Sequence, residues 1–210
     1  CKKAMSTFLY FRRKPSAKSM EMTERKKEII QTASVLFRKQ GYKAVSMRQL
    51  AQEIGVKAAS LYNHISSKQE LLSMLILGVA ERFTSGMEVI KNKPISPLDK
   101  IKEVMLLHIE ITLDDPGGME SLQNNWLYLE GDSLVEYKRQ RNAYEEKLRK
   151  IIKEGIKDGQ IKDVNPEIII FSLLTALRSL YIWYPRQKDI EPEKLKKDMI
   201  TVMLQGVEKV

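Results

Sequence analysis

The segment S-M-R-Q-L-A-Q-E-I-G-V-K-A-A-S-L-Y-N-H-I-S-S-K-Q-E, running from Ser46 to Glu70, constrains this chain more than any other stretch. Ser46 with Gln49 three residues on is a capping box, which predicts a helix opening at Met47. Leu50, Ala51 and Ile54 give that helix one buried stripe about two turns long. Gly55 stands where a left-handed residue ends a helix without a Cβ penalty. A second helix is expected over Ala58–His64, with Leu61 and Ile65 turned inward. Ser67 with Glu70 is another capping box and opens a third helix at Lys68. Three helix boundaries are thereby set within one short segment.

A short helix–Gly–helix unit with small residues on its second helix is the geometry that lays a helix in the DNA major groove. Residues 24–75 resemble the DNA-binding domain of the TetR family of bacterial transcriptional repressors. The resemblance is carried by R-K-K-E-I-I-Q-T-A-S-V-L-F-R-K-Q-G-Y, by S-M-R-Q-L-A-Q-E-I-G-V and by S-L-Y-N-H-I-S-S-K-Q-E-L-L, aligned without a gap. It implies an N-terminal helix-turn-helix domain followed by a helical ligand-binding and dimerisation domain. The DNA-contact positions it implies are Ser46, Arg48, Lys57, Ala58, Ala59, Ser60, Tyr62, Asn63, His64 and Lys68. Arg48 falls where a side chain reaches a base or a phosphate, Lys57, Ala58, Ala59 and Ser60 where base edges are met, and Tyr62, His64 and Lys68 where phosphates are clamped. The chemistry suits those roles, since Arg forks onto guanine and alanine touches a thymine methyl. Lys57 departs from the family by replacing a common capping Ser, and Ile65 by replacing a usual aromatic.

Charge agrees independently. Residues 1–75 hold 15 Lys/Arg against 5 Asp/Glu, and the rest 21 against 22, so the net +9 sits in the N-terminal third. A basic lobe on a neutral body is the footprint of phosphate binding.

The class expected is all-α, with about nine helices. Alternating Val/Ile/Thr runs and Asn-Gly or Asp-Gly hairpin turns are missing. The domains expected are a flexible basic arm over 1–22, a DNA-binding domain over 23–68 and a ligand-binding and dimerisation domain over 69–210. One cysteine, Cys1, suits a reducing cytoplasm, and no apolar run is expected to reach the ~18 residues of a membrane span. Further helices are expected over Thr23–Gln40, from Ser67 to about Glu88, over Leu98–Leu113, around Glu120–Glu130, over Asp132–Lys157, over Glu167–Tyr184 and from Pro192 to Val210. The Asp-Asp-Pro-Gly-Gly stretch reads as a break.

The helix from Glu167 is apolar around most of its circumference, which demands burial on both sides. Paired with the last helix, it is expected to form a two-fold four-helix interface in a homodimer, through Phe171, Leu174, Leu177, Leu195, Met199 and Met203.

An enzyme is not expected. Two histidines, one cysteine and no Gly-rich phosphate loop, HExxH or CxxC spacing leave nothing that assembles into catalysis, and neither cofactor nor metal is expected. The partners expected are double-stranded operator DNA, a small hydrophobic effector and a second copy of the chain, with no membrane. Phe83, Met87, Met105, His108, Ile109, Thr112, Trp126, Tyr144 and Arg178 are the candidates to line an effector pocket, because methionines and aromatics together suit an adaptable apolar cavity. The segment around A-L-R-S-L-Y-I-W-Y-P also resembles the C-terminal part of TetR-type regulators that sense acyl-CoA thioesters, with Arg178 where those proteins often have Asn. Arg178 is a lone charge in an apolar helix and suits an anionic headgroup. A lipophilic-drug-responsive efflux repressor and a non-specific DNA-coating protein remain the alternatives.

Overall fold

The computed structural model describes residues 23–208, so the arm expected over 1–22 lies outside the described residues. Nine α-helices are present among them: α1 Glu24–Gln40, α2 Met47–Ile54, α3 Ala58–Tyr62, α4 Lys68–Lys91, α5 Pro97–Asp114, α6 Pro116–Asn124, α7 Gly131–Lys157, α8 Pro166–Trp183 and α9 Pro192–Val207. Short 3₁₀ turns cover Trp126–Tyr128 and Tyr184–Arg186. No strand forms among the described residues. A single antiparallel bridge, Ile161 to Glu208, ties the loop after α7 to the end of α9.

Local chemistry accounts for the boundaries. Thr23, Ser46, Ser67, Ser96, Asp115 and Asn165 each cap a helix by accepting a backbone N–H near its start. Pro97, Pro116, Pro166 and Pro192 each occupy a first helical turn, where the missing N–H costs nothing. Gly55 adopts φ 76°, and its N–H returns to Ala51 and Gln52 carbonyls, which closes α2 as its position in the sequence demands.

Two expectations are corrected here. The Asp-Asp-Pro-Gly-Gly stretch is the capped start of α6, not a break: the helix begins at Pro116, four residues before Glu120. A Cβ at Gly117 would overlap the Ser34 hydroxyl of α1, and one at Gly118 the Asp115 carboxylate and Val79 of α4. Those glycines let α6 approach α1 and α4 closely. The second correction is that the stretch Pro166–Arg186 is, by length and composition alone, apolar enough to cross a bilayer. In the fold, α8 packs against α5, α6 and α7 and buries Ile169, Leu173, Leu177 and Leu180 there.

The core is continuous from α1 to α9. Helix α4 is its axis, packing on α1, α5, α6 and α7 and burying Leu71, Leu72, Leu75, Ile76, Val79, Phe83, Met87 and Ile90 along one side. Because α4 begins at Ser67 and continues into the body unbroken, the N-terminal head has no flexible tether.

Candidate nucleic-acid interface and cavity

The head is built on α1, α2 and α3. Ile29, Ala33, Leu36 and Phe37 of α1, Leu50 and Ala51 of α2, and Leu61 with Ile65 beside α3 are all buried together. With those positions committed inward, the opposite edge of α2 and α3 faces solvent. Arg48, Lys57, Ala59, Ser60, Tyr62, Asn63 and His64 are exposed, and Ala58 is half-buried against the core. The exposed Tyr62 ring, 51% accessible, is large for a surface position with no packing role. Ser46 spends its oxygen lone pair on the Gln49 N–H at 3.1 Å, so it is a cap first and has only its hydroxyl proton to offer a phosphate. Helix α3 starts at Ala58 as expected, without a side-chain cap from Lys57, and ends at Tyr62, two residues before His64. His64 lies in the turn that follows, its N–H on the Leu61 carbonyl at 3.0 Å.

Lys68 is held by its own protein. Its Nζ donates to the Lys43 carbonyl at 3.2 Å and lies 4.4 Å from the Tyr42 ring centre. Burial lowers the pKa of its ammonium from the ordinary value. Glu70, opposite, accepts from the Ser66 N–H and hydroxyl, each at 2.7 Å, and from Lys26 at 3.0 Å. Burial opposes ionisation of that carboxyl, but these donors outweigh it and its pKa is lowered. The Lys26–Glu70 pair pins the start of α4 to α1.

Helices α4 to α8 border a partly open cavity of about 110 Å³. Ala80, Phe83 and Thr84 of α4, His108 of α5, Leu122 and Gln123 of α6, Trp126 of the 3₁₀ turn that follows, Tyr137, Gln140, Arg141 and Tyr144 of α7, and Arg178 of α8 line it. Phe83 stacks obliquely on His108, centroids 4.4 Å apart, and His108 Nε2 meets the Tyr144 hydroxyl at 2.8 Å. Burial foremost, and then the Arg178 charge, push the His108 pKa down to about 3, so its ring is neutral. Arg178 bonds Glu145 of α7 at 2.9 Å, so its charge is balanced from another helix. Arg141 instead lies 5.4 Å from the Trp126 ring and has no carboxylate partner among the described residues.

Of the nine pocket candidates, Phe83, His108, Trp126, Tyr144 and Arg178 meet at this cavity. Met87, Met105, Ile109 and Thr112 do not: they are buried in the packed core beside it. Tyr137, Gln140 and Arg141 were missed, although their spacing with Tyr144 at three and four residues sets them on one face of α7. A stripe mixing rings with polar groups was the available signal.

The expected interface divides in the same way. Leu174, Leu177 and Leu195 are corrected: they are buried within the protomer, at 2%, 0% and 2% exposure. Phe171 is 71% exposed, with Ile168 at 57% and Val202 at 70% beside it. Met199 is half-buried against the core, and Met203 lines an open groove of about 300 Å³ between α8 and α9.

Residues 29–75 match the family described as bacterial regulatory proteins, tetR family, and residues 94–207 match the tetracyclin repressor-like C-terminal domain. The HTH-type transcriptional repressor KstR2 of Mycobacterium tuberculosis is 19% identical over 191 residues, covering 90% of this chain and 96% of that protein. The nucleoid occlusion factor SlmA of Vibrio cholerae is 29% identical over 153 residues, covering 71% of this chain and 78% of that one. In fold, the solved ketosteroid regulator KstR2 of Mycobacterium tuberculosis superposes with a TM-score of 0.85 at 17% identity, over 90% of this chain and 98% of that one. AibR, solved in complex with isovaleryl coenzyme A and operator DNA, superposes with a TM-score of 0.75 at 22% identity, over 85% of this chain and 97% of that one. An exposed recognition edge on a capped head, a helical body behind it and both family matches lead to one conclusion: the chain belongs to the TetR family of bacterial regulatory proteins and is a DNA-binding transcriptional regulator.

Proposed function

We propose that the protein is a cytoplasmic homodimeric repressor that leaves a two-fold operator when a small acyl-type effector enters the α4–α8 cavity. The observation that carries this reading is the double connection between cavity and head. Helix α4 supplies Ala80, Phe83 and Thr84 to the cavity and is pinned at its start to α1 through Glu70 and Lys26. The turn after α6 supplies Trp126 to the cavity and, two residues on, stacks Tyr128 against Tyr42 of the head. A dimer must hold its two recognition helices about 34–36 Å apart to meet successive major grooves. An effector that favours another spacing weakens operator binding by its differential affinity for the two states, and the operator weakens effector binding by the same factor.

Arg48, Lys57, Ala58, Ala59, Ser60, Tyr62, Asn63 and His64 form the DNA-contacting edge, with Ser46 and Lys68 shaping its ends. The second copy docks through the exposed side of α8 and α9, around Ile168, Phe171 and Val202. Arg141, which has no carboxylate partner among the described residues, favours an anionic effector over a lipophilic cation. Its volume, below the usual ~300–1,000 Å³ of ligand pockets, favours a short acyl group over a long chain.

The test begins by selecting duplexes from a random-sequence pool with the full-length protein. Gel shifts on a selected duplex are then run with acetyl-, butyryl-, isovaleryl- and palmitoyl-CoA, free coenzyme A and a cationic lipophile. Release by a short acyl-CoA at micromolar levels, with no effect of free coenzyme A, is expected. Release by the cationic lipophile alone would replace this reading with the efflux type, and failure to enrich any duplex would leave a non-specific DNA-binding protein.

A further inference from the structure

Two polar atoms of the cavity residues have needs that nothing among the described residues meets. Gln140 Oε1 and His108 Nδ1 are buried without a hydrogen-bond partner among the described residues, and both residues line the cavity. Buried polar atoms are nearly always satisfied, so an unmet pair at one cavity points to what that cavity binds.

The hydrogen-bonding sense of each atom follows from its neighbours. Gln140 Nε2 donates to Glu136 Oε1 at 2.7 Å. Hydrogen bonds from Arg139 and then Gln140 push the Glu136 pKa down to about 2, so it remains an acceptor. Flipping the amide would set Oε1 against that carboxylate, so Oε1 is the atom left over, and it requires a donor. His108 is neutral and carries one ring proton. Tyr144 keeps its hydroxyl proton, because burial raises its pKa. Donating that proton to His108 Nε2 leaves the ring hydrogen on Nδ1, with one group unmet; the other tautomer leaves two. The cavity wall therefore holds a buried unpartnered acceptor at Gln140, a buried unpartnered donor at His108, and at Arg141 a guanidinium without a carboxylate partner among the described residues.

We propose that the effector is a short acyl compound bearing a hydroxyl or an amide N–H near an anionic group. Its O–H or N–H donates to Gln140 Oε1, an oxygen of the same group accepts from His108 Nδ1, and the anion sits on Arg141. Arg178, committed to Glu145, shapes the wall and does not read the charge. This deepens the effector reading above and rests on it.

Calorimetry on the full-length protein tests it with β-hydroxybutyrate, N-acetylglycine and butyrate, and with β-hydroxybutyryl-CoA against butyryl-CoA to separate a free acid from a thioester. In at least one of these two series, the hydroxyl- or amide-bearing compound is expected to bind at least about tenfold tighter than its plain analogue. Gln140→Leu should erase that preference, and Arg141→Gln should weaken every acid. Equal affinity for hydroxylated and plain compounds in the unaltered protein, which needs no variant, overturns the proposal, as does an undiminished preference in Gln140→Leu. If no compound binds but a selected duplex does, this proposal falls and the DNA-binding reading stands. If the hydroxylated compound binds preferentially yet releases no duplex, the recognition chemistry stands and the effector-release reading falls.

Discussion

Tyr128 lies stacked on Tyr42, with ring centroids 5.4 Å apart and planes inclined by 20°. Tyr42 belongs to the loop after α1, and Tyr128 closes the 3₁₀ turn that Trp126 opens inside the cavity wall. The stack is fastened at several points: Lys43 Nζ is 4.9 Å from the Tyr128 ring centre, and Gln69 Nε2 donates to the Tyr128 carbonyl at 2.7 Å. Phe37 meets the edge of Tyr42 at 5.1 Å, which continues the contact into the core of the head. Aromatic pairs contribute about 0.5–1.5 kcal/mol beyond area burial, comparable to the 1–3 kcal/mol of an allosteric coupling.

Loss of this stack should therefore uncouple head and cavity without disabling either. In a Trp183→Phe protein, Trp126 is the remaining tryptophan, and binding of a selected duplex is expected to shift its emission. Adding Tyr128→Leu should leave duplex affinity within a few-fold and remove the shift, whereas Tyr128→Phe should keep it. An undiminished shift in Tyr128→Leu would assign the coupling to α4 alone.

At the head, Arg48→Ala is expected to cost about 1–3 kcal/mol on a selected duplex and little on random DNA, as loss of a base contact does. Lys57→Ala should weaken both alike and reduce the salt slope by about one. Binding isotherms on both duplexes at several salt concentrations make the comparison. Lys68→Ala should lower the melting temperature as well, because its ammonium is bound to Lys43 and Tyr42 of its own chain.

Much of this was legible in the sequence because it rests on local rules. Ser46, Ser67 and Gly55 announce their roles through residues no more than four positions away, and the helix boundaries followed to within a few residues. What was not legible depends on which neighbour a side chain meets. Met87, Met105, Ile109 and Thr112 were expected at the cavity from their side-chain type, which does not say which inward face borders a void and which is packed. Likewise, Leu177 and Phe171 lie on the same apolar helix, and only the placement of α5, α6 and α7 decides that the first is core and the second exposed. The partner of Arg178 sits 33 residues away on another helix, beyond the reach of any spacing rule. Gly117 and Gly118 read as a loop because their close approach to Ser34 and Val79 is tertiary.

That division sets the assembly test. A charge at Leu177 would unfold the protomer whether or not it dimerises. Phe171→Glu with Val202→Glu places charges on side chains already exposed in the protomer, so fold and melting temperature should be retained within a few degrees. Light scattering is expected to show a monomer with greatly weakened operator binding. A dimer persisting at micromolar concentration would move the interface away from α8 and α9.

His108 makes the last prediction, on acid stability. The group is fully enclosed, and its pKa falls from 6.5 to about 3 on folding, through burial first and the Arg178 charge second. The unfolded chain therefore takes up a proton below pH ~6.5 that the folded chain refuses until pH ~3, so stability falls as pH drops through that window. Between pH 8 and pH 5 the loss from this residue is about 2 kcal/mol, at 1.36 kcal/mol for each unit below the unfolded value. The measured interval, pH 8 to pH 5, lies above the ordinary carboxylate range, which separates it from Glu70, Glu88, Glu136 and Glu167, whose lowered values act at more acid pH. Glu110 and Glu120, raised by burial, act in the opposite direction. Urea titrations at pH 8 and pH 5 on the unaltered protein and on His108→Asn make the measurement, because Asn keeps a polar side chain without the titration. The variant should be less stable at pH 8 and show a pH dependence shallower by about 2 kcal/mol, while parallel curves for the two proteins would mean that His108 accepts its proton in the folded state.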